Sequence, residues 1–314
     1  MYIWIILVVI AQLLNATVAL IDKYIVTKPG LPKPVVYAFY VNLLSAASLI
    51  VLFIGDIFHS FVPAYKGLSI PMLSELTLPH GKVIILSLIS GFVILEALIF
   101  LFKAFRTADA SDVVPMTSAV TAITTYIISI FVFDTFLSTN ALIAFVLMVL
   151  GTILISRLRC SFRVVKLAVL AGVFFGTHSI ILKMIFNEAN FTDGFFWTRI
   201  AGVIAALSLL LFRSPRSRIL GQSKEGGKNG GLWIIGNKTL AGIAAILILA
   251  AINIGDVALI NALNGLQFVF LILFAAILGR KTPKEVGENV EHKDLIQKVI
   301  AVSLIVIGFF ILFI

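Results

Sequence analysis

The chain has 314 residues, 61% hydrophobic and only 12% charged, with a formal charge of +9. A soluble domain carries roughly a quarter charged and about half apolar residues, so a soluble globular fold is excluded and an all-α polytopic membrane protein is expected. A single cysteine, Cys160, leaves no intrachain disulfide. The basic residues are dispersed through short loops, which argues against nucleic acid and for contact with the headgroups of a lipid bilayer.

Stretches of about 20 nearly uncharged residues suit a hydrocarbon core of about 30 Å, and ten such helices are expected. The first, 2–22, is longer than the apolar stretch of a cleavable signal and has no basic residue before it, so it is expected to remain in the mature protein. Helix 34–55 follows, then a loop over 56–81 containing Pro63, Pro71 and Pro79, then helices 83–105, 111–133 and 138–156. The second half runs 164–186 and 194–212, and continues after a loop over 213–237 with 238–254, 257–279 and 296–314. That loop is rich in Arg, Lys, Gly and Ser and reads as a flexible, solvated connection. The run from Thr239 to Gly279 is too long for one crossing and is divided at Gly255 and Asp256, which suit a turn. The loop 280–295 is densely charged.

Loops 1–2, 3–4, 5–6, 7–8 and 9–10, with their helix ends, hold 20 of the 24 Lys and Arg residues. The positive-inside rule makes that side cytoplasmic and predicts both termini on the other side of a cell membrane. The chain also divides into two halves, 1–157 and 158–314. ATVALIDK (16–23) matches GTHSIILK (176–183), pairing Thr17 with Thr177 and Lys23 with Lys183. Phe39, Tyr40 and Asn42 stand where Phe196, Trp197 and Arg199 recur. Pro115, Ser118 and Thr121 hold a constant offset from Asn261, Asn264 and Gln267, each trio lining one side of a helix. Five helices per half, an odd number, predict inverted repeats, a layout that places a transport site near the bilayer midplane.

The stretches NATVALIDK (15–23), KAFRTADASDVVPMTSAV (103–120) and INALNGLQFVFLILFAAILG (260–279) resemble the drug/metabolite transporter superfamily, and within it the EamA-type permeases. The resemblance covers nearly the whole chain. It departs where such repeats often carry Gly-Glu after helices 4 and 9, since Asp134 and Arg280 stand there. The resemblance implies a central cavity lined by helices 1–4 and 6–9, with helices 5 and 10 at the periphery or at a homodimer contact.

Glu96, mid-helix in GFVILEALIF (91–100), is the sharpest chemical signal, because an ionised carboxylate at that depth costs several kcal/mol. Its functional reading is a proton-coupling or counter-ion site; the alternative is a protonated or paired Glu that holds helices together. His178 lies beside Thr177, to relay protons, touch cargo or bond a neighbouring helix. Arg199 is expected to snorkel to the interface, while Lys23 and Lys183 are expected to anchor helix ends. The polar faces of helices 4 and 9, with Asn15, Thr17, Asn42 and Thr177, are the candidate cavity lining. Tyr40, Trp197, Tyr126 and Phe39 are stacking candidates or interfacial anchors.

No metal-ligand spacing, nucleotide loop or catalytic triad is present, so no cofactor is expected. The expected function is a secondary transporter of a small organic metabolite working by alternating access. The alternatives are an exchanger or flippase for sugar-linked, nucleotide-sugar or lipid-like cargo, a non-transporting scaffold, and a membrane-embedded enzyme.

Overall fold

The computed structural model describes residues 3–27, 33–61, 70–108, 110–155, 161–222, 228–278 and 292–313, and among these it is all-helical. We number the main helices α1 (Ile3–Thr27), α2 (Pro34–Ile57), α3 (Gly81–Phe105), α4 (Ala110–Phe133), α5 (Thr139–Ile155), α6 (Phe162–Glu188), α7 (Phe191–Ser208) and α8 (Lys228–Ile254). The last two are α9 (Val257–Ala262 and Leu266–Leu278, joined by a tighter turn at Leu263–Gly265) and α10 (His292–Ile311). Seven helices, α1–α4 and α6–α8, are long and apolar enough to cross a membrane; α5, α9 and α10 contribute shorter apolar stretches.

Helices dominate because hydrocarbon offers the backbone no hydrogen-bonding partner, so each segment must satisfy its own amides. Large apolar residues accordingly cover the outside of the bundle, as at Ile85, Ile89 and Phe92 on α3 and Leu142, Val146 and Leu150 on α5. The helix ends follow local chemistry. Asn190 caps α7 by accepting from Asp193 N at 2.6 Å. Asp256 caps α9 by accepting from Ala258 N and Leu259 N at 2.9 and 3.0 Å, directly after the expected turn at Gly255. α2 tightens into a 3₁₀ turn over Ala46–Leu49, where Ser45 donates to Asn42 O and Ser48 donates to Ser45 O, each at 2.6 Å.

The stretch expected to be a flexible loop is largely helical. Arg213–Gln222 forms a helix and α8 begins at Lys228; residues 223–227 lie outside the described set. Ile219 explains the difference, because it is buried against Val36, Phe39 and Ala206. One apolar contact docks a helix whose other residues read as solvated. Most of the charged loop 280–295 also lies outside the described residues.

α1 packs against α8, α3 against α6, α2 against α7, α4 against α9 and α5 against α10. Moving each partner five helices along the chain turns this set of pairs into itself. Neighbours run antiparallel: Asp22 near the end of α1 meets Lys238 near the start of α8, and Lys82 at the start of α3 meets Glu188 at the end of α6. One close crossing joins α6 to α4 through GVFFG (172–176). A Cβ on Gly172 would lie 2.8 Å from Thr117 O, and one on Gly176 would lie 2.9 Å from Thr121 O. Small residues four apart admit this approach, and dispersion between the backbones then holds the pair.

Candidate functional site

A cavity of ≈ 730 Å³ lies inside the bundle. Along α1 its wall runs from Gln12 to Asp22, along α3 from Ile94 to Phe105, and along α8 from Ile235 to Ile252. It therefore spans the middle of the bundle, reaching the end of α3 and, on α8, to within two residues of the helix end. The end of the bundle at the starts of α3 and α7 is tied down by the segment between α2 and α3. There Thr77 N donates to Asp193 Oδ1 at 2.7 Å, Thr192 donates to Glu75 Oε2 at 3.0 Å, and Lys82 pairs with Glu188 at 2.6 Å.

The floor is an amide and hydroxyl network joining four helices. Gln12 Nε2 on α1 donates to Asn264 Oδ1 on α9 at 2.6 Å, and Asn264 Nδ2 donates to Asn261 Oδ1 at 3.2 Å. Asn261 Nδ2 reaches Thr125 Oγ1 on α4 at 3.1 Å, while Ser179 on α6 donates to Asn261 Oδ1 at 3.5 Å. Gln267 Nε2 donates to Asn15 O at 3.0 Å. Thr121 donates to Thr117 O and Gly172 O at 2.8 and 3.2 Å, which joins α4 to α6. Facing lipid, these amides would have no partners; facing one another they are satisfied.

Charge is concentrated in two places. Between α1, α2 and α8, the buried Asp22 accepts from the Tyr37 hydroxyl, from Asn237 Nδ2 at 2.6 Å and from Lys238 Nζ at 2.8 Å, all at Oδ1. Lys238 also sits 4.8 Å from the centre of the Tyr37 ring. Deeper in the cavity, Arg199 on α7 lines the wall with its guanidinium 5.3 Å from the Phe195 ring. Its Nε is buried without a hydrogen-bond partner. His178 on α6 lines the same cavity, its Nδ1 2.9 Å from Ser90 Oγ on α3.

Of the residues singled out from the sequence, Asn15, Asn42, Ser118, Thr121, His178, Asn261, Asn264 and Gln267 line the cavity together. Four do not. Glu96 is exposed on the outward face of α3 and makes no hydrogen bond or ion pair among the described residues. Thr177 bonds back to Val173 O at 2.9 Å on an exposed face, and Thr17 is half-buried away from the cavity. Pro115 is buried at the sixth position of α4, where it removes the donor for the carbonyl of residue 111.

The aromatic candidates stay outside the cavity as well. Phe39 packs on Tyr40, Trp197 on Phe196 and Tyr126 on Phe145. Arg199, expected to snorkel outward, turns inward instead. Sequence reasoning also missed Asp22 and Lys238, although Asp22 lies in the repeated stretch ATVALIDK. Lys23 and Lys183 do anchor helix ends, but those of neighbouring helices. Lys23 donates to Phe105 O and Ala108 O at 2.8 and 2.5 Å, and Lys183 to Ile252 O, Asn253 O and Gly255 O at 2.9–3.1 Å.

No family model matches the chain, and no curated protein does either. Among solved structures it is similar to a crystal structure whose molecule is described only as "protein". The TM-score is 0.63 and the identity 17%, over 98% of this chain and 94% of that one. At that identity the likeness is one of fold alone.

Proposed function

We propose that this protein is a secondary transporter that moves a small organic metabolite across a membrane by alternating access. We read it as an EamA-type permease of the drug/metabolite transporter superfamily, with ten helices in two inverted halves. The observation that carries this reading is the cavity itself, which is lined from both halves by a connected polar network. The exchange of helix pairs under a five-helix step and the matched roles of Lys23 and Lys183 support the inverted repeat. Two halves rocking about this cavity would release the ties between Thr77, Glu75 and α7 while closing the end near Asp22.

The membrane is read as a cell membrane, with both termini outside the cytoplasm as the Lys and Arg distribution predicts. Energy comes from an ion gradient or from the cargo's own gradient. α5 and α10, which contribute nothing to the cavity wall among the described residues, are left to pack the bundle or meet a second copy. An exchanger for phosphate-linked cargo would need several free cations in the cavity, whereas Lys238 is already neutralised by Asp22.

The test is accessibility. Ser118 lines the cavity, so Ser118→Cys in a Cys160→Ser background is treated with a membrane-impermeant thiol reagent from each side of oriented proteoliposomes. Labelling from both sides is expected of a carrier that alternates. Labelling from one side under every condition would favour a non-transporting scaffold.

A further inference from the structure

We propose that the cargo is a small organic monoanion, a monocarboxylate with an apolar body, and that Arg199 is the group that binds its charge. This rests on the transport reading of the same cavity and names the class of molecule the cavity takes.

The argument begins with charge balance. Among the described residues, the charged side chains on the cavity wall are Asp22, Lys238 and Arg199. Asp22 and Lys238 pair at 2.8 Å and cancel. Arg199 has no carboxylate partner among the described residues; its contact is the face of Phe195, and its Nε bonds to nothing. A cation in a membrane interior is normally paired or functional, and an uncompensated guanidinium is costly wherever water is scarce. One free positive charge is neutralised by one negative charge. A dianionic phosphate would reverse the imbalance, and an organic cation would double it.

Geometry supports the same class. Guanidinium presents a planar fork of donors that matches a carboxylate. His178 lies on the same cavity wall with Nδ1 2.9 Å from Ser90 Oγ, and its tautomer protonated on Nε2 supplies a second donor there. The rest of the wall is largely aliphatic, with Leu98 and Leu101 from α3 and Ile246 and Leu249 from α8 offering a dry surface for the body of the cargo. The repeat adds one observation. Arg199 on α7 stands at the position that Asn42 occupies on α2, and both line the cavity. The pseudo-symmetric site therefore carries a cation on one side only, so charge recognition belongs to the second half.

The test uses purified protein in lipid nanodiscs, as wild type, Arg199→Gln and Arg199→Lys. Acetate, 4-methylpentanoate and benzoate are titrated, each against its neutral amide, with benzylammonium and phenyl phosphate as charge controls, and the thermal midpoint is followed. At least one monocarboxylate should raise the wild-type midpoint where its amide and both charge controls do not. Its affinity should fall about a hundredfold in Arg199→Gln and about tenfold in Arg199→Lys. Without ligand, Arg199→Gln should melt no lower than wild type, because it removes an uncompensated charge.

A carboxylate response of equal size in wild type and Arg199→Gln would overturn the proposal, as would no response to any carboxylate. A loss of stability in ligand-free Arg199→Gln together with wild-type behaviour in Arg199→Lys would make Arg199 structural. Flux of the responding probe into proteoliposomes separates the two readings. Arg199-dependent binding without flux would refute transport and keep the anion site, while flux of the amides unaffected by Arg199→Gln would do the reverse.

Discussion

Lys238→Met deletes an ammonium group while keeping a side chain of similar length. It leaves the Asp22 carboxylate between α1 and α8 with only Tyr37 and Asn237 as donors. Asp22 and Lys238 are 9% and 8% exposed, so this is a buried pair. Removing one partner of such a pair costs about 3–5 kcal/mol, because the other charge is left uncompensated. A neutral hydrogen bond between membrane helices averages about 0.6 kcal/mol, so the charge sets the size of the effect. Asp22→Asn should cost somewhat less than Lys238→Met, since the Tyr37 and Phe102 rings still face the stranded ammonium at 4.8 and 5.8 Å. The double variant Asp22→Asn/Lys238→Met strands neither charge and should recover about 2 kcal/mol or more of the summed single losses. Unfolding by sodium dodecyl sulfate in mixed micelles reads all four proteins. Single losses that simply add in the double variant, to within about 0.5 kcal/mol, would refute the pairing.

Other changes probe other parts of the structure. Gly176→Leu should separate α6 from α4 and cost about 1–3 kcal/mol in the same micelle assay, since even a Cβ there meets Thr121 O at 2.9 Å. Asp134 follows α4 with φ 51°, a left-handed conformation glycine adopts freely. Asp134→Gly should therefore raise stability by about 0.5–1 kcal/mol, and a lowered melting point would contradict that. Lys183→Met removes the cation gripping the end of α8 and should raise hydrogen exchange of the α8–α9 turn more than anywhere else. Glu96→Leu should leave Arg199-dependent ligand affinity unchanged, because Glu96 lies outside the cavity; a tenfold loss would show that it acts on the site.

The placement of helices along the chain was legible from the sequence, and facing was less so. Helix positions follow from apolar length, which hydrocarbon thickness enforces, and α1 to α10 fall within a few residues of their expected places except at the end of α1 and the start of α8. The i, i+3, i+6 face of Asn261, Asn264 and Gln267 could be read because three amides on one side have nowhere else to turn. Glu96 does lie well inside α3, but α3 is apolar on every side, so hydropathy has no preferred direction there. A subtler signal existed in the small residues Ser87, Ser90 and Gly91, which mark the packed face. At about 100° per residue, Glu96 lies opposite Ser87. Thr17 and Thr177 show the limit of repeat matching, since a residue can recur to serve its own helix, as Thr177 does by bonding Val173 O. Arg199 was misread because its stem is long enough to reach either the interface or the interior, and only packing decides between them.

The Asp22–Lys238 pair also sets an order of events during synthesis. Lys23 finds its carbonyls once Ala108 has been made, 85 residues downstream, so the first half can fasten itself early. Asp22, the adjacent residue, waits for a partner 216 residues away. At about 5–20 residues per second, that is roughly 10–40 s during which an acidic side chain near the end of α1 has Tyr37 but no cation. Helix α1 must therefore spend that interval shallow, hydrated or held by the insertion machinery, and the arrival of α8 is what lets it settle.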